Sequence, residues 1–206
     1  RGHWQGLALG PYHILAPLGR GGMGTVYLAR DTRLAEELGD EVRVALKVLP
    51  PKVARAEPRM LARFRREIEL GRCVDHPHVV RTLTGGEAEC VHFLAMEYVP
   101  GKTVGQIVLS DGRLPLGDAA RWFADVAAGL AGVHDAGLVH RDVKPGNVIL
   151  TQDGRAKLLD LGFAYRPGEP LPDDPTIVGG AGYIVGTMNF IAPEQARDAT
   201  AARPAS

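Results

Sequence analysis

Cysteine is scarce, with two in 206 residues, Cys73 and Cys90, and neither a CxxC pair nor a His/Cys cluster. That scarcity argues against a disulfide framework or a structural zinc site, and it fits a reducing cytosol. Excess charge of one sign is missing too. Lys plus Arg (24) balances Asp plus Glu (24), so no overall field would draw the chain to nucleic acid or an anionic membrane. No apolar run approaches the ~20 residues that cross a bilayer, and the opening RGHWQGLALG lacks a signal-peptide pattern. Internal repeats are absent. What remains is 45% hydrophobic and 23% charged, the composition of a globular protein with room for one sizeable domain or two small lobes.

The chain changes character midway. Residues 11–50 carry alternating β-formers (YHILAPL, TVYLAR, VRVALKVL), with the polar DTRLAEELGDE reading as a long hairpin connection. Pro58 opens a helical pattern in which Met60, Phe64 and Ile68 are spaced by four. HVVRTLT and VHFLAMEYV flank GGEAE and predict a second hairpin. Beyond Pro100 and Gly101 the pattern turns helical, with Trp122, Phe123, Val126, Leu130 and Val133 as an apolar stripe and Gly137 as the stop. VIL and KLL then straddle a turn centred on Asp153-Gly154. From Arg166 to Gly182 the chain is rich in proline and glycine, a length of connection that is usually functional or disordered.

Three constellations carry chemistry. Gly19, Gly21 and Gly24 give G-x-G-x-x-G between two strands, where backbone N–H groups can lie close over phosphates. A dinucleotide-binding fingerprint would instead run from strand into helix. Lys47 lies within the apolar strand VALKV, where an unpaired ammonium is costly. Glu67 on the following helix is its expected partner, with Glu69 as the fallback. The third is HRDVKPGNVIL, residues 140–150. There Asp142 can accept a hydroxyl proton, Lys144 can neutralise a transferring phosphate, and Asn147 offers an amide oxygen to a metal. Asp160-Leu161-Gly162 follows, a carboxylate at a turn suited to Mg²⁺.

This ordered set resembles the protein-kinase signature, and the sequence is similar to the bacterial eukaryotic-like Ser/Thr protein kinases from about Gly10 to Glu194. The resemblance implies an α+β protein-kinase-like two-lobe fold, an antiparallel sheet with one main helix followed by a mostly helical lobe. It implies a tail at residues 1–9, an N-terminal lobe with hinge at 10–99, and a C-terminal lobe from 100, with an activation segment at 160–194. ATP and Mg²⁺ are the implied cofactors. Leu18, Gly19, Arg20, Gly21, Gly22, Met23, Gly24, Thr25 and Val26 would cover ATP. Lys47 would hold the α- and β-phosphates while pairing with Glu67. Val26, Ala45 and Ile149 would sandwich adenine, and Met96, Glu97 and Val99 would form the hinge; plain core packing accounts equally well for the apolar ones. Asp142 would be the catalytic base, Lys144 its phosphate-neutralising partner, and Asn147 and Asp160 the metal ligands. Thr187 in GTMNFIAPE would seat the acceptor hydroxyl. Thr176, the lone Ser or Thr between Asp160 and Gly186, is the expected autophosphorylation site. The basic run Arg63, Arg65 and Arg66 reads first as a solvated helix face and second as a receiver for a phosphorylated loop.

After Ala192-Pro193-Glu194 the chain reads QARDATAARPAS, where the family continues with further helices. The expectation is a truncated C-terminal lobe, with a short tail at 195–206 and part of the 119–133 stripe uncovered. The implied function is ATP-dependent phosphorylation of Ser and Thr in protein substrates in the cytoplasm, with a transient dimer for autophosphorylation and no nucleic acid or membrane segment. The alternative is a nucleotide-binding pseudokinase or inactive fragment. A small-molecule kinase of related fold ranks third, disfavoured by Lys144 and the GT-x-x-F-I-A-P-E segment.

Overall fold

The computed structural model describes residues 4–21, 24–33, 42–169 and 187–197. It divides into two compact units, Arg1–Ile68 with Arg81–Tyr98, and Glu69–Val80 with Val99–Ser206.

The first unit is built on an antiparallel sheet of β1 (Ala8–Leu9), β2 (Tyr12–Gly21), β3 (Gly24–Asp31), β4 (Arg43–Leu49), β5 (Thr82–Ala88) and β6 (Val91–Glu97), in the order β1-β2-β3-β4-β6-β5. Alternation sorts its side chains to two faces. Tyr12, Ile14, Tyr27, Ala29, Val44, Leu46, Val48, Phe93 and Ala95 fill one core, where the Tyr12 and Phe93 rings meet edge to face at 5.3 Å. Leu9 is fully buried in the same core, so the sheet begins inside the segment expected to be a tail. Pro17 lacks an N–H for the ladder, and it sits at a register shift between Pro17 and Gly19.

The other face carries α1 (Pro51–Ala56) and α2 (Pro58–Gly71). Phe64 is fully buried against Leu49, Ala54 and Leu94, with Met60 and Ile68 beside it, as their spacing predicts. Removing a ring buried this way costs about 3–5 kcal/mol. Leu49, Val53 and Ala54 tie α1 to this core, a helix that the sequence pattern did not reveal.

The β5–β6 hairpin departs from expectation. Gly85 and Gly86 are not its turn; they pair with Leu94 and Phe93 inside the ladder. A Cβ on Gly85 would come within 2.7 Å of the Ile68 side chain, so glycine is there to let the strand lie against α2. The turn falls at Glu89 and Cys90, both at positive φ (51° and 62°), the backbone twist of a tight hairpin.

The second unit contains the sheet β7 (Gly101–Thr103), β8 (Val148–Thr151) and β9 (Ala156–Leu158), in that order, with α3 (Val104–Asp111), α4 (Leu116–Asp135) and α5 (Pro193–Arg197). A capping box starts α3: Thr103 accepts the Gln106 N–H while the Gln106 side chain accepts the Thr103 N–H. Gly137, at φ 73°, follows the end of α4 as predicted. Val126, Val133, Leu138, Val148, Leu150, Leu158 and Leu161 form the core, with Trp122 and Leu130 packed at its margin.

Phe123 stands 72% exposed, on the part of the 119–133 stripe that is uncovered, as expected. The core face turns instead through Asp125, Val126, Gly129 and Val133. Asp125 tolerates burial because its charge is satisfied: it accepts Arg155 Nε and Nη2 at 3.0 and 2.9 Å and the Ala156 N–H at 2.9 Å. Burial pushes its carboxyl up. Those donors and the nearby His78 more than offset that, holding it below the usual carboxylate range.

Candidate active site

The glycine segment lies in the β2–β3 hairpin, where Gly19 faces Val26, Arg20 faces Thr25 and Gly21 faces Gly24. Leu18 to Gly21 are exposed, and Gly22 and Met23 lie outside the described residues. The three glycines of the motif differ in what demands them. A Cβ on Gly24 would stand 2.1 Å from the Val48 carbonyl oxygen, so the sheet itself requires glycine there. A Cβ on Gly19 or Gly21 would meet no described atom within 4 Å. Among the described residues nothing demands their smallness, and glycine at such positions lets a ligand approach the backbone.

Register places Val26 opposite Lys47 and Ala45 opposite both Leu28 and Met96, so Val26, Ala45, Lys47 and Met96 share one face of the sheet. Val26 and Ala45 are half-buried there. Lys47 Nζ contacts both Glu67 carboxylate oxygens, at 2.6 and 2.8 Å, with the two residues 7% and 3% exposed. The pair resolves the choice of partner in favour of Glu67 over Glu69. At that depth the ammonium needs its carboxylate, since an uncompensated buried charge costs several kcal/mol. Glu97 closes the end of β6: its N–H donates to the Arg81 carbonyl at 2.9 Å, and Oε2 accepts the Arg81 N–H at 3.2 Å.

In the second unit three predicted residues gather on the carboxylate of a fourth, Asp142. Asp142 Oδ2 accepts Lys144 Nζ at 2.6 Å and Asn147 Nδ2 at 2.9 Å, and Oδ1 accepts the Thr187 hydroxyl at 2.8 Å. Lys144 Nζ also donates to Thr187 Oγ1 at 2.7 Å, closing a ring of three polar groups. The Asn147 amide nitrogen donates as well to the Asp142 backbone carbonyl at 2.9 Å. That commitment orients the amide, with Oδ1 taking part in neither bond. Asp142 and Asn147 are buried, at 3% and 7% exposed. Asp160 sits at φ 62°, an uncommon conformation for a non-glycine residue, and its Oδ1 accepts the Gly162 N–H at 2.9 Å. Ile149 is half-buried on β8 opposite Thr103 and Lys157, and Val99 is buried in the same unit. Thr176 lies outside the described residues.

Two residues at this site were not singled out from the sequence. His140 is 1% exposed; its Nδ1 accepts the Asp142 N–H at 3.3 Å, and Nε2 meets the Leu159 carbonyl at 3.1 Å. That pair of contacts selects the tautomer protonated at Nε2. Burial pushes its imidazole below the ordinary value, against the opposing pull of the Leu159 carbonyl and of Asp160 and Asp142. Gln195 is the other, 4% exposed and bonded to the Arg141 carbonyl. The His140 signal was available in the apolar run GLVH, where a histidine next to a reactive carboxylate has to be buried in one tautomer.

Asn147 and Asp160 supply an amide and a carboxylate oxygen, hard donors that fit Mg²⁺. No group of three or more His, Cys, Asp or Glu occurs that could cage a metal among the described residues.

The first unit holds a buried Lys–Glu pair and a glycine hairpin, and the second an Asp–Lys–Asn–Thr network, each a feature of protein kinase domains. The family described as protein kinase domain matches residues 12–205, and the chain belongs to it. It is 40% identical over 190 residues to serine/threonine-protein kinase pkn2 of Myxococcus xanthus, covering 91% of this chain and 22% of that protein. It is 38% identical over 190 residues to serine/threonine-protein kinase PknB of Mycobacterium leprae, covering 90% of this chain and 29% of that protein. Among solved structures it resembles the PknI kinase domain of Mycobacterium tuberculosis, with a TM-score of 0.62 and 35% identity over 82% of this chain and 66% of that one. The chain thus spans between 22% and 29% of these two curated relatives.

Proposed function

We propose that this chain transfers the γ-phosphoryl group of ATP to Ser and Thr hydroxyls of proteins in the cytoplasm, its own chain included. The observation that carries this reading is the single carboxylate of Asp142 held by Lys144, Asn147 and Thr187. A carboxylate oxygen has two acceptor directions, so Oδ1 can receive a substrate hydroxyl beside Thr187. As the new O–P bond forms and the bond to the ADP oxygen breaks, the hydroxyl proton passes to Asp142. Lys144, already 2.7 Å from the Thr187 hydroxyl, stands where the charge of the transferring group would be neutralised. Lys47, fixed by Glu67, would hold the α- and β-phosphates, and Gly19 and Gly21 would let backbone N–H groups close over them. Val26, Ala45 and Ile149 would flank adenine, with Met96, Glu97 and Val99 at its edge. Asn147 and Asp160 would hold Mg²⁺, which supplies charge neutralisation between the β- and γ-phosphates.

Lys144 and the Thr187 contact support a Ser/Thr rather than a Tyr acceptor, and the relatives are serine/threonine-protein kinases. Thr176 is the proposed site of autophosphorylation, through a transient dimer. The test is incorporation of radiolabel from ATP into a generic basic protein, with Lys47→Met as control. Incorporation lost in the control supports the reading; nucleotide binding without transfer in parent and Asp142→Asn alike overturns it in favour of a pseudokinase. Phosphopeptide mapping that finds Thr176 unmodified in active protein removes that part alone.

A further inference from the structure

Arg141, the residue before the catalytic carboxylate, has φ 64°, the left-handed region that residues with a Cβ avoid. Such a conformation persists only where its surroundings hold it. Two holds act on its side chain: Nε donates to the Phe163 carbonyl at 2.8 Å, and the guanidinium lies 4.8 Å from the centre of the Tyr165 ring. A third acts on the main chain, where Gln195 Nε2 donates to the Arg141 carbonyl at 3.2 Å.

The carbonyl of Arg141 and the N–H of Asp142 belong to one rigid peptide plane. Gln195 grips the carbonyl edge of that plane and His140 Nδ1 the N–H edge, at 3.3 Å. Rotating the plane would break both contacts and swing the Asp142 side chain with it. Gln195 also shares a segment with Thr187, which touches the carboxylate itself. Residues 187–197 therefore reach Asp142 twice, at its carboxylate and through the peptide that carries it. A buried amide with a polar partner is worth keeping only if that partner needs holding, because an alkyl side chain of equal size would fill the space without a desolvation cost.

We infer that Gln195 is a positioning residue, clamping the Arg141–Asp142 peptide so that the segment seating the acceptor hydroxyl and the base that deprotonates it keep one geometry. The inference rests on the phosphotransfer reading for its effect on rate, though the clamp itself can be tested without it. In the full 206-residue chain, Gln195→Leu keeps the volume and removes the donor, and Gln195→Glu sets an acceptor against the carbonyl. Both lower kcat by about tenfold or more while the KM for ATP stays within about twofold. A residue that only filled space would not separate the two constants. Hydrogen–deuterium exchange supplies the independent readout: the Asp142 amide exchanges slowly in the parent and at least about tenfold faster in both variants, with β4 amides unchanged. A parent that transfers no phosphate would sink the kinase reading while exchange still decided the clamp. Exchange at Asp142 within about twofold of the parent in either folded variant overturns the clamp. So does an Asp142 amide that already exchanges as freely as an open loop in the parent, a result that needs no variant to fold.

Discussion

The two units solve the problem of burying charge in different ways. In the first, Lys47 and Glu67 form a bidentate contact inside an apolar layer between β4 and α2. In the second, Asp142 is surrounded by three side-chain donors, each of which also bonds to another atom of the cluster. The pair is brittle, because removing either residue takes both short charge-assisted contacts from the other at once. The network is tolerant, because losing one donor leaves two. The contrast suits the proposed roles: a phosphate anchor has to stand in one place, whereas a base has to exchange partners as substrate arrives.

The largest effect expected falls on the network's centre. Asp142→Asn should lower phosphotransfer by about 10²–10⁴-fold with the melting temperature little changed, read by radiolabel transfer and thermal unfolding. A loss below tenfold would deny Asp142 the role of base. Next, Glu67→Ala should destabilise the chain by roughly 3–5 kcal/mol in urea unfolding, by leaving Lys47 buried without its carboxylate. The double variant Lys47→Met/Glu67→Leu should regain most of that stability and none of the activity. If single and double variants lose equal stability, the pair is not brittle and the contrast fails.

Gly24→Ala should cost about 1–3 kcal/mol, because its methyl would strike the Val48 carbonyl. Gly21→Ala should change stability by under about 0.5 kcal/mol and act on nucleotide affinity instead, read by ATP titration. Thr187→Ala should cost about 1 kcal/mol of stability, with Thr187→Ser close to the parent in both stability and rate. Equal losses in the Ala and Ser variants would show that the methyl, not the hydroxyl, matters there.

The smallest effect is on pH dependence, away from both charge sites. The Asp125 carboxyl is held below its ordinary value in the fold, so its contribution to stability is complete above about pH 4. It is lost as pH falls through the lower folded value. Asp125→Asn should therefore flatten the acid limb of the stability curve, and an unchanged limb would place the acid sensitivity elsewhere.

Much of the site was readable in one dimension. Asp142, Lys144 and Asn147 lie within six consecutive positions, so a short loop brings them together with little help from the rest of the chain. The partnership of Lys47 with Glu67 was also readable, because a lysine in an apolar strand demands a carboxylate and the next helix offers two. The β5–β6 turn was misplaced because Gly85-Gly86 mimics a turn signal, whereas its purpose is contact with Ile68. Which residues of the 119–133 stripe would stay uncovered, Phe123 among them, was not legible, because helical spacing admits more than one apolar stripe. Which one is buried depends on what lies against the helix, here the Arg155 and Ala156 groups that draw Asp125 inward. Gln195 gave no sign, since nothing in sequence marks a glutamine whose partner is a carbonyl 54 positions earlier.

Sequence by itself determined the inventory of carboxylates, amines and amides and its order, because such groups can be recognised by type and close spacing. Tertiary structure alone decided which atoms meet across long separations: Thr187 on Asp142, Gln195 on Arg141, Gly24 under Val48. Those contacts follow from where the chain returns on itself. Hydrogen bonds and steric limits act over a few ångströms in space, whatever distance separates the residues along the chain.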